Sequence, residues 1–280
     1  MKTLSPSQTI GNTFFVGLCM HGDLILSPPQ QPNASVQGLG VSVYARQSDN
    51  SYVLQQQLGD DIMVADCAIS TSQIVLTTFT QSTEVSAKVY SLYFFDLASQ
   101  PSAAGVRQWK QGQNIVQTWE STGGIVATTI DMNDEYLALT SQYPNPTNTG
   151  TVTVFRRASS GLWTQSQQLT GKIDIFAPFP VLTGSLHGDR LLVTALPGVA
   201  SNSTAAINIY RATGGEFAFE SEVERECTWA VLGAGDTLAT ATKYGVDLYK
   251  LGADGLATLV DSLSQPALAE ELRGTKSLKV

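Results

Sequence analysis

Apolar and polar residues alternate along most of this chain with a period of two, the spacing that places successive side chains on opposite faces of a pleated strand. One form recurs: an alternating strand closing on an aromatic residue, a polar turn, then a second strand. It reads VSVYARQSDNSYVLQQQL from Val41, VTVFRRASSGLWTQSQQL from Val152, INIYRATGGEFAFESEV from Ile207 and VDLYKLGADGLATLVDSL from Val246. A degenerate copy, VYSLYFFDLASQPSAAGVRQW, starts at Val89. Ser, Asp and Gly fill the turns, so each copy is a β-hairpin. A second signature precedes each hairpin: GDLILS at Gly22, TSQIVLT at Thr71, NDEYLALT at Asn133, GDRLLVT at Gly188 and GDTLATAT at Gly235. An apolar segment comes before it in turn, such as FFVGLCM from Phe14, VADCAI from Val64 or WAVLGA from Trp229. The repeating unit is therefore strand, tight turn, strand, longer loop, strand, turn, strand.

The tight turns fall at Asp23, Ser72, Asp134, Asp189 and Asp236, at intervals of 49, 62, 55 and 47 residues. Blade periods in propellers run from about 40 to 50 residues, and a four-stranded sheet per period leaves a face to bury against the next. The prediction is an all-β fold, a single β-propeller domain over 1–280 with about five four-stranded blades, approximately 12–60, 61–115, 125–171, 179–224 and 227–263. A β-sandwich would alternate in the same way but does not account for the same two hairpins recurring in the same order. Lys110 to Val126 is unassigned, which keeps a sixth, degenerate blade as an alternative. LSPSQTIG from Leu4 is a candidate extra outer strand. Within 264–280, Ser264 as N-cap, Pro266 in the first turn and Gly274 as a stop predict a short C-terminal helix through ALAEELRG.

Composition narrows the partners. Hydrophobic residues make up 42% and charged residues 14%, and 16 basic against 24 acidic side chains give a net charge of −8. So acidic a chain lacks a general phosphate-neutralising surface, which argues against nucleic acid. No stretch approaches the roughly 18 consecutive apolar residues that cross a bilayer, and the start, MKTLSPSQTIG, has no apolar core of a secretory leader. The chain reads as soluble and not membrane-inserted, with the cytoplasm favoured. Cys19, Cys67 and Cys227, odd in number and far apart, read as reduced core thiols. The sequons at Asn33 and Asn202 keep a secreted protein as the alternative.

The strand pattern carries a family resemblance. GDRLLVTALPG at Gly188, together with GTVTVFRRASSGLWTQSQQL at Gly150, resembles the FG-GAP repeat of integrin α-subunit-like propellers, over about four fifths of the chain. The resemblance implies a propeller that binds its ligand through one loop-rich face. The Phe-Gly and Gly-Ala-Pro elements are largely missing, Ala195-Leu196-Pro197 coming nearest, and so is the D-x-[DN]-x-[DN]-G calcium loop of the family. Asp131-Met132-Asn133-Asp134-Glu135 is the nearest stretch and lacks the glycine.

Candidate chemistry lies in the long loops and the connections between repeats, where a rigid scaffold usually presents recognition groups. Phe79, Tyr143 and Asn202 sit in the second-to-third-strand loops, and Trp119 and Phe176 in the connections between blades. Such groups suit stacking on, or hydrogen bonding to, a glycan or small molecule, a lectin-like role, and they suit a protein partner equally. For an enzyme, Asp61, Glu120, Asp174 and Glu226 are the candidate catalytic residues, a pair of them acting as acid and base on a glycosidic bond at the channel mouth. That arrangement is similar to the axial carboxylates of five-bladed furanosidase-type glycosidases, whose local motifs are not visible here. Solvated loop acids are the plainer reading, so a noncatalytic binding propeller is preferred. His21 and His187 occupy matching places, MHGD and LHGD, and read as turn residues. No zinc spacing, nucleophile elbow or phosphate loop is present, so the sequence predicts no metal and no cofactor.

Overall fold

In the computed structural model the described residues are 19–27, 40–62, 64–81, 87–99, 107–120, 128–142, 150–170, 181–196, 205–225, 227, 229–242 and 245–264. They form five antiparallel four-stranded sheets, the blades of a β-propeller, each ordered as its strands occur in the chain. Blade one holds β1 (Cys19–His21), β2 (Leu24–Ser27), β3 (Val41–Arg46) and β4 (Tyr52–Leu58). Blade two holds β5 (Val64–Ile69), β6 (Gln73–Gln81), β7 (Ala87–Leu97) and β8 (Trp109–Glu120). Blade three holds β9 (Thr128–Met132), β10 (Tyr136–Gln142), β11 (Gly150–Arg157) and β12 (Trp163–Thr170). Blade four holds β13 (Val181–His187), β14 (Arg190–Leu196), β15 (Ala205–Thr213) and β16 (Glu216–Arg225). Blade five holds β17 (Trp229–Gly233), β18 (Thr237–Thr242), β19 (Gly245–Leu251) and β20 (Ala257–Ser264). The chain divides into two compact units, 1–81 with 88–118 and 82–87 with 119–280. Blades one and two belong to the first unit and blades three to five to the second.

The strand-two signature marks the turns correctly. Gly22, Gly188 and Gly235 open their turns at φ of 56°, 58° and 65°, a left-handed region that glycine enters without a Cβ penalty. Lys110–Glu120, unassigned from sequence, belongs to β8, the outer strand of blade two, and among the described residues there is no sixth sheet. The predicted helix and the Leu4 segment lie outside the described residues, apart from Ser264, which ends β20.

One irregularity recurs. In blades one, three, four and five the third and fourth strands slip register just before the aromatic residue of the third: Val43/Tyr44, Val154/Phe155, Ile209/Tyr210 and Leu248/Tyr249. The fourth strand then carries one residue with no cross-strand partner, at Gln55, Ser166, Glu220 and Val260 respectively. This bulge turns the two halves of the fourth strand to opposite faces. In β16, Phe217 packs edge-on against Tyr136 of blade three at 4.9 Å, whereas Val223 packs into the core shared with blade five.

Within each unit, neighbouring blades pack through apolar cores and a few directed bonds. In the first unit Leu26, Val43, Cys67, Ile74, Leu76 and Trp109 are buried together. In the second, Ala138, Val154, Leu191 and Val193 fill the space between blades three and four, and Leu192, Ile209, Leu232 and Leu238 that between four and five. The glutamines of the fourth strands add a clamp. Gln167 Nε2 donates to the Phe217 carbonyl at 2.9 Å and the Phe217 N–H donates to Gln167 Oε1 at 2.8 Å. Gln56 does the same to Trp109, at 2.9 and 2.8 Å. A side-chain amide thus pairs with the next blade's backbone as a strand would. Gln167→Ala strands both Phe217 backbone groups and is expected to cost about 2 kcal/mol, seen as a lower urea midpoint at unchanged slope.

The end bearing the tight turns is held by charge. Arg190, at 2% side-chain exposure, donates through Nε and Nη2 to Glu220 at 3.0 and 3.2 Å, through Nη2 to the Gly252 carbonyl at 2.7 Å, and pairs with Asp236. Arg211 reaches the same Glu220 at 3.2 Å and the Ala253 carbonyl at 3.2 Å. Burial pulls the Arg190 guanidinium down, but Glu220 and Asp236 outweigh it and hold the group above its ordinary value. Asp236, Gly252 and Ala253 belong to blade five, so the network ties blade four to its neighbour.

The cysteine expectation is corrected: Cys19 and Cys67 form a disulfide, and Cys227 is a buried thiol outside it. The pair are 48 residues apart in sequence, yet both lie on first strands, and β1 and β5 are neighbours. Their Cα atoms stand 6.2 Å apart, within bridging reach.

Candidate functional site

Strand direction sorts the connections. The first-to-second turns and third-to-fourth hairpins lie at one end of every blade. At the other end of each blade the second strand finishes and the third begins. The loop end is the one the sequence analysis selects for recognition.

Near the tight turns, the first strands of the second unit are stitched by side chains bonding to the next blade's backbone. Asp131 Oδ2 accepts the Leu186 N–H at 2.9 Å and Ser185 Oγ the Leu232 N–H at 3.1 Å. Asp131 Oδ1 also accepts the Met132 N–H at 3.0 Å, and Asn133 Oδ1 accepts those of Glu135 and Tyr136. Asp131 and Asn133 therefore spend side-chain oxygens on the strand, its turn and the next blade, and Glu135 accepts from Arg156 of the same blade. One step closer to the loops comes a row of threonines, each at the close of a strand-two signature: Thr77, Thr140 and Thr194, all fully buried. Their cross-strand partners are Asp66, Thr129 and Thr183.

The row is satisfied in the first two cases. Thr77 Oγ1 donates to the Asp66 carbonyl at 3.1 Å. Thr140 Oγ1 donates to the Thr129 carbonyl at 3.1 Å, and the two hydroxyls meet at 2.5 Å. The Gly184 N–H of blade four reaches Thr129 Oγ1 at 3.4 Å. Between blades four and five it is not. Thr183 shares a face with Ser185, which bonds to blade five, and Thr194 lies directly opposite Thr183. Thr240 lies opposite Ala230, whose side chain packs into the core between the same two blades. The hydroxyls of Thr183, Thr194 and Thr240 are all buried, and none has a hydrogen-bond partner among the described residues. A buried hydroxyl without a partner costs about 1 to 3 kcal/mol, so this interface carries polar groups that the described residues leave unpaired.

Of the residues singled out from sequence, Asp61 is exposed in the turn after β4. Phe79 lies on β6 opposite Tyr90, and Trp119 and Glu120 end β8, with backbone positions alone described. Tyr143, Phe176, Asn202, Asp174 and Glu226 lie outside the described residues. Phe79 and Trp119 are strand residues close to loops, where the sequence had placed them in a loop and a connection. His21 and His187 both end a first strand, exposed, facing Leu24 and Arg190 across the ladder.

No protein-family model matches the sequence, and no curated protein does. Among solved structures, the chain is similar to a protein from Lactobacillus plantarum, with a TM-score of 0.53 and 14% identity over 88% of this chain and 70% of that one. The likeness is one of fold. A periplasmic gluconolactonase from Pseudomonas aeruginosa follows at a TM-score of 0.48 and 10% identity, over 88% of this chain and 84% of that one. A sucrose-6-phosphate hydrolase from Lactobacillus gasseri gives 0.46 and 10%, over 85% and 58%. These two weaker likenesses say nothing of chemistry.

Sequence reasoning overlooked the threonine row, although its signal was present: TSQIVLT, NDEYLALT and GDRLLVT all end in the residue that is buried. A threonine closing three matching strands reads as ordinary strand composition until its partner on the first strand is known.

Proposed function

We propose that this chain is a noncatalytic binding propeller that recognises a hydroxyl-rich ligand, a glycan or a small polar molecule, through its loop-bearing end, with a protein partner as the other class that end would serve. The reading is supported by one observation above all. The hydroxyls of Thr183, Thr194 and Thr240 lie buried between blades four and five with no hydrogen-bond partner among the described residues. Hydroxyls both donate and accept, which matches the mixed demands of a polyol. The aromatic residues Phe79, Trp119, Tyr143 and Phe176, with Asn202, would add stacking and amide contacts around it. The FG-GAP-like strand pattern belongs to the same reading, since it goes with ligand capture by loops.

The test is a glycan array probed with the parent protein and with Trp119→Ala and Thr194→Val. Thr194→Val keeps the shape of the side chain and removes the hydroxyl. Binding by the parent that weakens up to about tenfold in Thr194→Val, as loss of one neutral hydrogen bond implies, supports the reading. Parent binding that neither variant alters moves the ligand elsewhere. Silence on the array, with hydrolysis of a glycoside that falls in Asp61→Asn or Glu120→Gln, would establish the alternative of a channel-mouth enzyme built on Asp61, Glu120, Asp174 and Glu226.

A further inference from the structure

The first unit holds a set of groups that the binding reading does not use. Cys19 on β1 and Cys67 on β5 bring their sulfurs within 4.8 Å of a carboxylate oxygen of Asp66, each of the three ligand atoms lying within that distance of the others. The carboxylate is placed by the chain. Asp66 directly precedes Cys67 on β5, just after a register slip between Val64 and Asp66, and Asp66 Oδ1 accepts the Cys67 N–H at 2.9 Å. Both sulfurs are out of water, Cys19 at 2% and Cys67 at 0% exposure.

In the disulfide the sulfurs hold each other. As thiolates, with the Asp66 carboxylate, they are a different object: two soft donors and one hard one converging between two strands. A tetrahedral zinc ion binds thiolate sulfur at about 2.3 Å and carboxylate oxygen at about 2.0 to 2.2 Å, which places neighbouring ligand atoms about 3.5 to 3.8 Å apart. The bonded sulfurs must separate to reach that spacing, and with the two cysteines 6.2 Å apart at Cα and the Asp66 oxygen within 4.8 Å of both sulfurs, rotation of the side chains lets one ion span the three.

We propose that reduction converts the Cys19–Cys67 pair, with Asp66, into a zinc-class metal site that links the first strands of blades one and two. The step balances. The disulfide takes two electrons and two protons from two equivalents of a thiol reductant, which leaves as its own disulfide, and the S–S bond becomes two thiols. Binding of the divalent ion then releases both protons to solvent as the sulfurs coordinate as thiolates, with water in the fourth position. The site is gated by oxidation, because sulfurs bonded to each other cannot both serve as thiolate ligands. Blades one and two are tied in either state, covalently when oxidised and by coordination when reduced. Access to the sulfurs requires only local opening of β1, a strand of three residues.

The experiment uses the full chain, reduced and desalted without oxygen, and titrated with Co²⁺ as a spectroscopic stand-in for zinc. The expected result is one equivalent bound, with a near-ultraviolet thiolate-to-cobalt charge-transfer band and the visible bands of a tetrahedral ion, displaced by zinc. The oxidised protein and Cys19→Ser give no such bands. Cys227→Ser gives them undiminished, and Asp66→Asn weakens binding by more than about tenfold. Should Cys19→Ser fail to fold, alkylation of the reduced parent decides: zinc protects Cys19 and Cys67 and leaves Cys227 unaffected. A reduced parent without bands, bands that survive Cys19→Ser, or no zinc protection of the two thiols overturns the proposal.

Discussion

Replacing Glu220 with alanine is expected to destabilise the protein by about 3 to 5 kcal/mol, read as a lower urea midpoint with the slope unchanged. The magnitude follows from what is left behind. Arg190 is 2% exposed and Glu220 10%, so truncation leaves a guanidinium out of water with only Asp236 and a carbonyl as company. Asp236 itself is 52% exposed, and Asp236→Ala is expected to cost below about 1 kcal/mol because water takes over its role. Replacing both members, Arg190→Met with Glu220→Leu, should recover most of the loss, since neither then holds an unpaired buried charge. If Glu220→Ala costs no more than Asp236→Ala, the fold does not depend on Glu220 to neutralise the buried Arg190.

Loss of the disulfide should be felt as strongly. Closing a loop of 48 residues is worth about 4 kcal/mol on the chain-entropy model, and removal of a native disulfide typically costs about 2 to 5. Cys67→Ser, unfolded in urea with a chelator present, is expected to lose that amount, and a reductant should lower the midpoint of the parent but leave that of the variant unchanged. Thiol counting gives a separate check. The unfolded, unreduced parent should show one reactive thiol, that of Cys227; three would mean the pair is not formed.

The fold was legible because the hairpins repeat in register with the core. VSVYAR, VTVFRR, INIYRA and VDLYKL all place two apolar residues and an aromatic at the same points of a third strand, and burial against the next blade is what demands that pattern. Lys110–Glu120 was illegible for the converse reason. As an outer strand, KQGQNIVQTWE is free of the one-sided burial that forces alternation, and Val116 is left exposed at 57%. The glutamines of WTQSQQL and YVLQQQL looked like surface composition, since nothing in a single strand says that an amide will meet a neighbouring backbone. Cys19 and Cys67 required a further step, that matching first strands of successive repeats lie side by side. Of the candidate site, the loop-bearing end was legible from strand order, but the chemistry beneath it was not. The partner of a hydroxyl depends on the twist and spacing of two blades, which neither blade's sequence contains.

The recurrent slip before the third-strand aromatic governs how these repeats can change length. A fourth strand with its extra residue presents Phe217 to one neighbour and Val223 to the other; without that residue, half of the strand would turn over and offer solvent-facing groups to a dry seam. Single-residue deletions at Gln55, Ser166, Glu220 or Val260 should therefore be far less tolerated than insertions of several residues in the hairpin tips beside them. Divergent copies of this repeat would drift freely in loop length while keeping the one extra fourth-strand residue opposite the third-strand aromatic. Length at that one point, more than identity anywhere, is the inheritance the blades have in common.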